Sequence, residues 1–237
     1  MMNELIALDQ QWLLAINGWH APWADRLMWI ISDKATWLPL YALLIALLVW
    51  RFHGQMRGVC RRACSKRVES LEWLWVLLAV GAAAGLSDWV SSGLIKHWVC
   101  RPRPTHEPAL EGLVHIVNGY TGGQYGFVSS HAANTMACAL LFALVYTRRL
   151  RALGVNHCAL RIGCVWGGLM LWVAMNCYSR MYLGVHYPGD ILGGLMVGSL
   201  VAVAVYRGLR ALAAYCGSAA GAAALRPKAA GDDAVRN

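Results

Sequence analysis

The chain has 237 residues, of which 58% are apolar and only 14% charged, against about 25% charged in an ordinary soluble domain. That balance excludes a disordered chain, a collagen-like fibre and a disulfide-stapled secreted scaffold, and 12 tryptophans against 3 phenylalanines favour a membrane interface. The formal net charge of +9 reads as the positive-inside bias of a membrane protein rather than as a nucleic-acid surface.

The first twenty residues lack a basic start and carry Glu4 and Asp9, so they do not read as a signal peptide. Leu5, Leu8, Trp12, Leu13 and Ile16 recur at helical spacing, which predicts an amphipathic helix, lying at an interface or packed on its own bundle. Five longer apolar stretches follow: Trp37 to Trp50, Leu71 to Leu94, Ala132 to Tyr146, Ile162 to Tyr178 and Ile191 to Tyr206. A hydrocarbon core of about 30 Å needs about 20 helical residues, so the first and last must recruit flanking residues. Leu27 to Ile31 either extends the first span or forms a short separate helix. The expected fold is therefore all-α, a polytopic membrane bundle of five spans, with six as the alternative, behind an N-terminal amphipathic helix. It divides into an N-terminal interfacial segment (1–34), a transmembrane domain (35–214) and a disordered cytoplasmic tail (215–237).

With five spans, 15 of the 21 Lys and Arg residues fall on one side, in the loops after the first and third spans and in the C-terminal tail. The positive-inside rule makes that side cytoplasmic. The opposite face keeps Arg26, Lys34, Lys96, Arg101, Arg103 and Arg180. Cys60 and Cys64 lie in the first basic loop with no further ligand pair nearby, so no metal site is expected there.

Three short segments carry polar groups that a membrane bundle otherwise avoids: Lys96 to Pro104, Ser129 to His131, and Ser179 to Asp190. The second span ends, the third begins, the fourth ends and the fifth begins on one face, so the three segments meet there. Ionisable residues so placed point to function. Lys96, Arg103 and Arg180 offer three cations, and guanidinium forks suit phosphate. Ser129 and Ser130 precede a helix whose first N–H groups make an anion site. His131 and His186 supply the two roles of a covalent route, attack on phosphorus and protonation of the leaving oxygen. Asp190 follows His186 by four residues, sharing its face on a helix, and can fix the imidazole tautomer.

These segments resemble the signature of the type 2 phosphatidic acid phosphatase superfamily of membrane lipid phosphatases. Lys96 through Pro104 matches the first element, Lys, six residues, Arg-Pro, and Ser179 through Asp190 matches the third in full. The middle element departs, with Val128 for its proline and Ser130 for its glycine, while Ser129 and His131 are kept. The resemblance implies a nucleophilic His186 oriented by Asp190 and a His131 acting as acid and then base. It implies phosphoryl oxygens held by Lys96, Arg103, Arg180, Ser129 and Ser130, and neither metal nor cofactor.

Of the remaining polar residues, Arg101 reaches a second phosphate, a lipid headgroup or an outer position. Asp88 and Asn134 read as outer hydrogen bonders, and His97, His106 and His115 as solvated loop residues. Thr105 to Phe127 is either a lid or a plain connector. The expected partner is a lipid phosphate in a bacterial inner membrane, met on the extracytoplasmic face, with the C-terminus cytoplasmic. Undecaprenyl diphosphate leads, Arg101 being its extra cation. A lipid A phosphatase, a phosphatidylglycerophosphate phosphatase, a lipid phosphotransferase and a non-catalytic anionic-lipid binder are the alternatives.

Overall fold

The computed structural model describes residues 2–54, 72–152, 154 and 158–224. In hydrocarbon a backbone must satisfy its own hydrogen bonds, and each of the five apolar stretches forms a helix. Helix α1 spans Met2–Asn17 and α2 Pro22–Ser32, with Pro22 at the start of α2, where a missing N–H costs nothing. Helix α3 spans Leu38–Gly54 and α4 Glu72–Asp88. The latter runs on through a π-helical segment, Trp89–Ile95, into Lys96–Val99. Helices α5 (Ser130–Ala152), α6 (Cys158–Tyr182) and α7 (Pro188–Ala224) complete the bundle. There is no strand among the described residues.

Four helices, counting α4 with its extension, are long and apolar enough to cross a bilayer, and α2 with α3, bent by 70°, makes a fifth if the pair is one span. Leu27 to Ile31 therefore belongs to a helix of its own, joined to the first apolar stretch by a sharp bend. Helix α7 continues to Ala224, so the expected tail boundary after residue 214 falls inside a helix. The basic loop with Cys60 and Cys64, and residues 225–237, lie outside the described residues.

Helices α5 and α7 pack most intimately. A Cβ at Gly194 would lie 2.5 Å from the Ser129 carbonyl oxygen, and one at Gly198 would strike the Ala133 carbonyl. Small residues four apart let the two backbones approach, and the approach carries the start of α7 onto the start of α5, where the Ser129 N–H donates to the Asp190 carbonyl at 3.0 Å. The outward surfaces are apolar: Leu171, Leu192, Met196 and Leu200 are 62–70% exposed, as a lipid-facing surface requires.

Helix α1 is amphipathic, and its apolar residues divide between an outward face, with Leu5, Leu8 and Trp12, and the bundle, with Leu13. Leu5 and Trp12 are 59% and 58% exposed, whereas Leu13 and Asn17 are fully buried. Leu13 packs with Leu110 and Tyr187. The Asn17 amide donates to the carbonyls of Tyr182 (2.7 Å) and His115 (2.9 Å) and accepts the His115 N–H (2.7 Å). The helix is thus packed on the bundle and still presents an apolar face outward.

Candidate active site

The π-helical segment sets Ser92 and Lys96 beside the first residue of α5. The Ser130 hydroxyl lies 2.7 Å from that of Ser92 and accepts from Lys96 Nζ at 3.0 Å. Where the family pattern has a glycine, this chain therefore uses the extra hydroxyl to hold Lys96, a local role the sequence did not disclose. Ser129 is fully buried, and its hydroxyl accepts the Ala132 N–H at 3.5 Å, capping α5.

Cys100, in the left-handed region at φ 51°, ends the helix, and each Arg-Pro step that follows favours extended backbone. The Arg103 N–H donates to the Gln124 carbonyl (3.0 Å) and the Gly126 N–H to the Arg101 carbonyl (2.9 Å), so the long loop folds back along this segment. Arg103 is buried; its Nε donates to the Tyr125 carbonyl at 3.1 Å, while Nη1 has no hydrogen-bond partner among the described residues. Gly122 and Gly126 make room for it. Gly122 is left-handed at φ 70°, and a Cβ there would strike Arg103 Nη1; one at Gly126 would lie 2.9 Å from Asp190 Oδ2. Gly122→Ala is therefore expected to lower kcat/KM at least about tenfold, combining the cost of a left-handed Ala with a displaced guanidinium. A rate within twofold of wild type would show that Arg103 has no such fixed seat.

Arg180, 3% exposed at the end of α6, donates from Nη1 to Ser32 Oγ (2.5 Å) and from Nη2 to the Tyr120 hydroxyl (3.1 Å), leaving Nε buried without a partner among the described residues. Burial raises the Tyr120 phenol, but Arg180 and Arg103 outweigh that effect and hold it below its ordinary range. Burial and Arg180 together press the Arg103 guanidinium below its own usual range. Clustered cations with unfilled donors are the electrostatic mark of an anion site.

His186 and Asp190 are 1% and 0% exposed, with Nδ1 of the histidine 3.3 Å from Oδ2 of the aspartate, which also accepts the Tyr187 N–H at 3.0 Å. Donation from Nδ1 to the carboxylate leaves Nε2 with its lone pair. Burial first, then Arg103, Arg180 and Lys96, hold the imidazole well below its ordinary pKa, hence neutral. His131, in the first turn of α5, lies within electrostatic reach of Arg180, Lys34, His186 and Lys96. An uncharged imidazole, a second histidine and three cations around one point can accept and transfer a phosphoryl group.

Arg101 does not extend this cluster. Its Nη1 donates to Asp190 Oδ1 (3.1 Å) and its Nη2 to Asp9 Oδ2 (2.7 Å), removing it from the role of a free second-phosphate cation. Asp88 accepts from Asn134 Nδ2 at 3.1 Å, a link between α4 and α5 rather than a pairing with a motif cation. His97 and His106 are exposed as expected. His115 instead is half-buried, stacks on His20 with ring centroids 3.7 Å apart, and meets Asp25 at 3.1 Å. Through Tyr120, Tyr125 and Gly126 the long loop walls the site rather than merely connecting two helices. Ser32, Ser92, Tyr120, Lys34 and Asp9 were absent from the sequence-derived site.

A model of the PAP2 superfamily matches residues 72–213. The chain is similar to lipid A 4'-phosphatases of Bacteroides thetaiotaomicron (30% identity over 84% of this chain and 75% of the relative) and Porphyromonas gingivalis (29% over 87% and 75%). It is also similar to the putative undecaprenyl-diphosphatase YbjG of Escherichia coli (28% over 76% and 71%). In fold it is similar to a transmembrane PAP2-type phosphatidylglycerolphosphate phosphatase of Bacillus subtilis, with a TM-score of 0.57 and 23% identity over 86% of this chain and 85% of that one. The matched residues take in all three polar segments gathered at one end of the bundle, and the chain belongs to the PAP2 superfamily as a membrane-embedded lipid phosphatase.

Proposed function

We propose that the chain hydrolyses a phosphate monoester of a lipid A-type glycolipid through a phosphohistidine. The buried, uncharged His186 imidazole, held by the Asp190 carboxylate and facing Lys96, Arg103 and Arg180, carries the reaction. Nε2 of His186 attacks phosphorus, the bond from phosphorus to the lipid oxygen breaks, and His131 protonates that oxygen. His131 then takes a proton from water, which attacks the phosphorus; the P–N bond breaks and inorganic phosphate leaves. The partnerless donors, Nη1 of Arg103 and Nε of Arg180, bind the phosphoryl oxygens as charge develops.

The preference among lipids rests on Arg101. A diphosphate substrate takes Arg101 as one of its supports, a cation for the second phosphate, and that guanidinium is engaged by Asp9 and Asp190. The remaining cations suit one phosphoryl group, and the similarity to two lipid A 4'-phosphatases over most of their length points the same way. The site opens to the extracytoplasmic leaflet and the end of α7 to the cytoplasm, a reading supported by the distribution of Lys and Arg; a reporter enzyme fused behind Ala224 reading external overturns it.

The test is phosphate release by the purified protein in chelator, over lipid A, undecaprenyl diphosphate and phosphatidylglycerophosphate. At least a tenfold preference in kcat/KM for lipid A is expected. A preference for the diphosphate restores the first expectation, and phosphate release that requires a lipid acceptor makes the chain a transferase.

A further inference from the structure

Asp9 stands in a helix that the reaction scheme does not use, yet its carboxylate is the end of a chain of contacts leading to His186. One oxygen, Oδ1, accepts the Gly189 N–H at 2.7 Å, so a residue 180 positions away supplies a cap for the first turn of α7. The other, Oδ2, accepts from Arg101 Nη2 at 2.7 Å. The same guanidinium donates from Nη1 to Asp190 Oδ1 at 3.1 Å and lies 4.0 Å from the centre of the Tyr187 ring. Asp190 Oδ2 is thereby left to His186 and the Tyr187 N–H. The side chains of Arg101, Asp9 and Asp190 are only 21%, 15% and 0% exposed. At such depth a fork held between two carboxylates is fixed in place, and losing one partner leaves a buried charge uncompensated.

We infer that Asp9 and Arg101 are positioning residues for catalysis: the N-terminal helix completes the active site by holding, through Arg101, the carboxylate that orients His186. The inference rests on the reading of Asp190 as that orienting group. It also accounts for the orientation of α1, whose Asp9, Leu13 and Asn17 face the bundle while Leu5 and Trp12 face outward. The helix turns one apolar face outward and is seated on the catalytic end of the bundle by the other.

The experiment compares Asp9→Asn, Arg101→Gln, Arg101→Lys and the Asp9→Asn/Arg101→Gln double variant in detergent. Asn at position 9 keeps an oxygen for the Gly189 N–H but offers its other arm as a donor, so it breaks only the link to Arg101. Each single variant is expected to lower kcat about ten- to a hundredfold with KM within twofold, as for outer residues that hold a reacting group. The double variant falls no more than about threefold below the worse single one, and Arg101→Lys recovers part of the loss. Hydrogen exchange across residues 185–191 supplies a second readout that needs no substrate, and Arg101→Gln speeds it at least about tenfold as Asp190 loosens its hold on the Tyr187 N–H. Raised KM with unchanged kcat places Arg101 on the substrate and overturns the inference. Multiplicative losses, or wild-type kinetics with unchanged exchange, overturn it as well. If wild-type protein releases phosphate from none of the lipids, the proposed reaction has failed while the exchange measurement still decides the positioning role.

Discussion

Alanine at position 186 is expected to reduce phosphate release by at least about a thousandfold, the scale on which removal of a covalent nucleophile acts, while the protein still elutes as a folded species in detergent. Three features support the proposal that His186 is the attacking group. It is 1% exposed, so it has no part in surface charge or lipid contact. Its Nδ1 is committed to Asp190 at 3.3 Å, which leaves Nε2 for phosphorus. Burial and three neighbouring cations hold it neutral, so its lone pair is available through the physiological range. A hydrogen-bonding role alone predicts rescue by His186→Gln, and a nucleophilic role predicts none, since an amide forms no phosphoramidate of use. Acid-quenched protein carrying a radiolabelled phosphoryl group on wild type but not on either variant completes the test; residual turnover above about one-tenth of wild type would falsify the assignment.

The parts of this site that the sequence disclosed are those in which chemistry and position coincide within a few residues. His186 and Asp190 stand one helical turn apart, and the parity of the apolar stretches brings Lys96, Ser129 and Arg180 to the same end whatever the details of packing. What stayed hidden depends on contacts across long stretches of chain. Ser32 meets Arg180, and Asp9 meets Gly189, only because α1 and α2 fold onto the catalytic end. Periodicity found the apolar stripe of α1 but could not say which way it turns: against a soluble core Leu5 and Trp12 would point inward, whereas here lipid can take them and the polar face is free to approach Arg101. The π-helical segment before Lys96 has no compositional mark, yet Ser92 reaches Ser130 from within it. The closeness of α5 to α7 follows from Gly194 and Gly198, a small-residue pair whose partner helix only the folded chain reveals.

Arg180→Lys keeps the charge and is expected to cost about a hundred- to a thousandfold in kcat/KM, the loss that follows removal of a preorganised donor to a developing oxyanion. The guanidinium is anchored in two directions and presents a third donor. Nη1 is anchored on Ser32 at 2.5 Å and Nη2 on Tyr120 at 3.1 Å, while Nε remains buried and unfilled. Both anchors lie outside α6, on α2 and on the long loop, so the fork is oriented by the assembled fold rather than by its own helix. A lysine ammonium is a single nitrogen on a flexible stem; satisfying either anchor draws it from the other and from the phosphoryl oxygens. If Arg180 served only as a local positive potential, the lysine variant would retain most of the activity, because Arg103 and Lys96 supply the same field. A loss confined to KM would instead assign the fork to ground-state binding, whereas a fall in kcat with KM little changed locates its contribution in the transition state. The second outcome is expected, since the anchors pre-set the geometry before the lipid phosphate arrives.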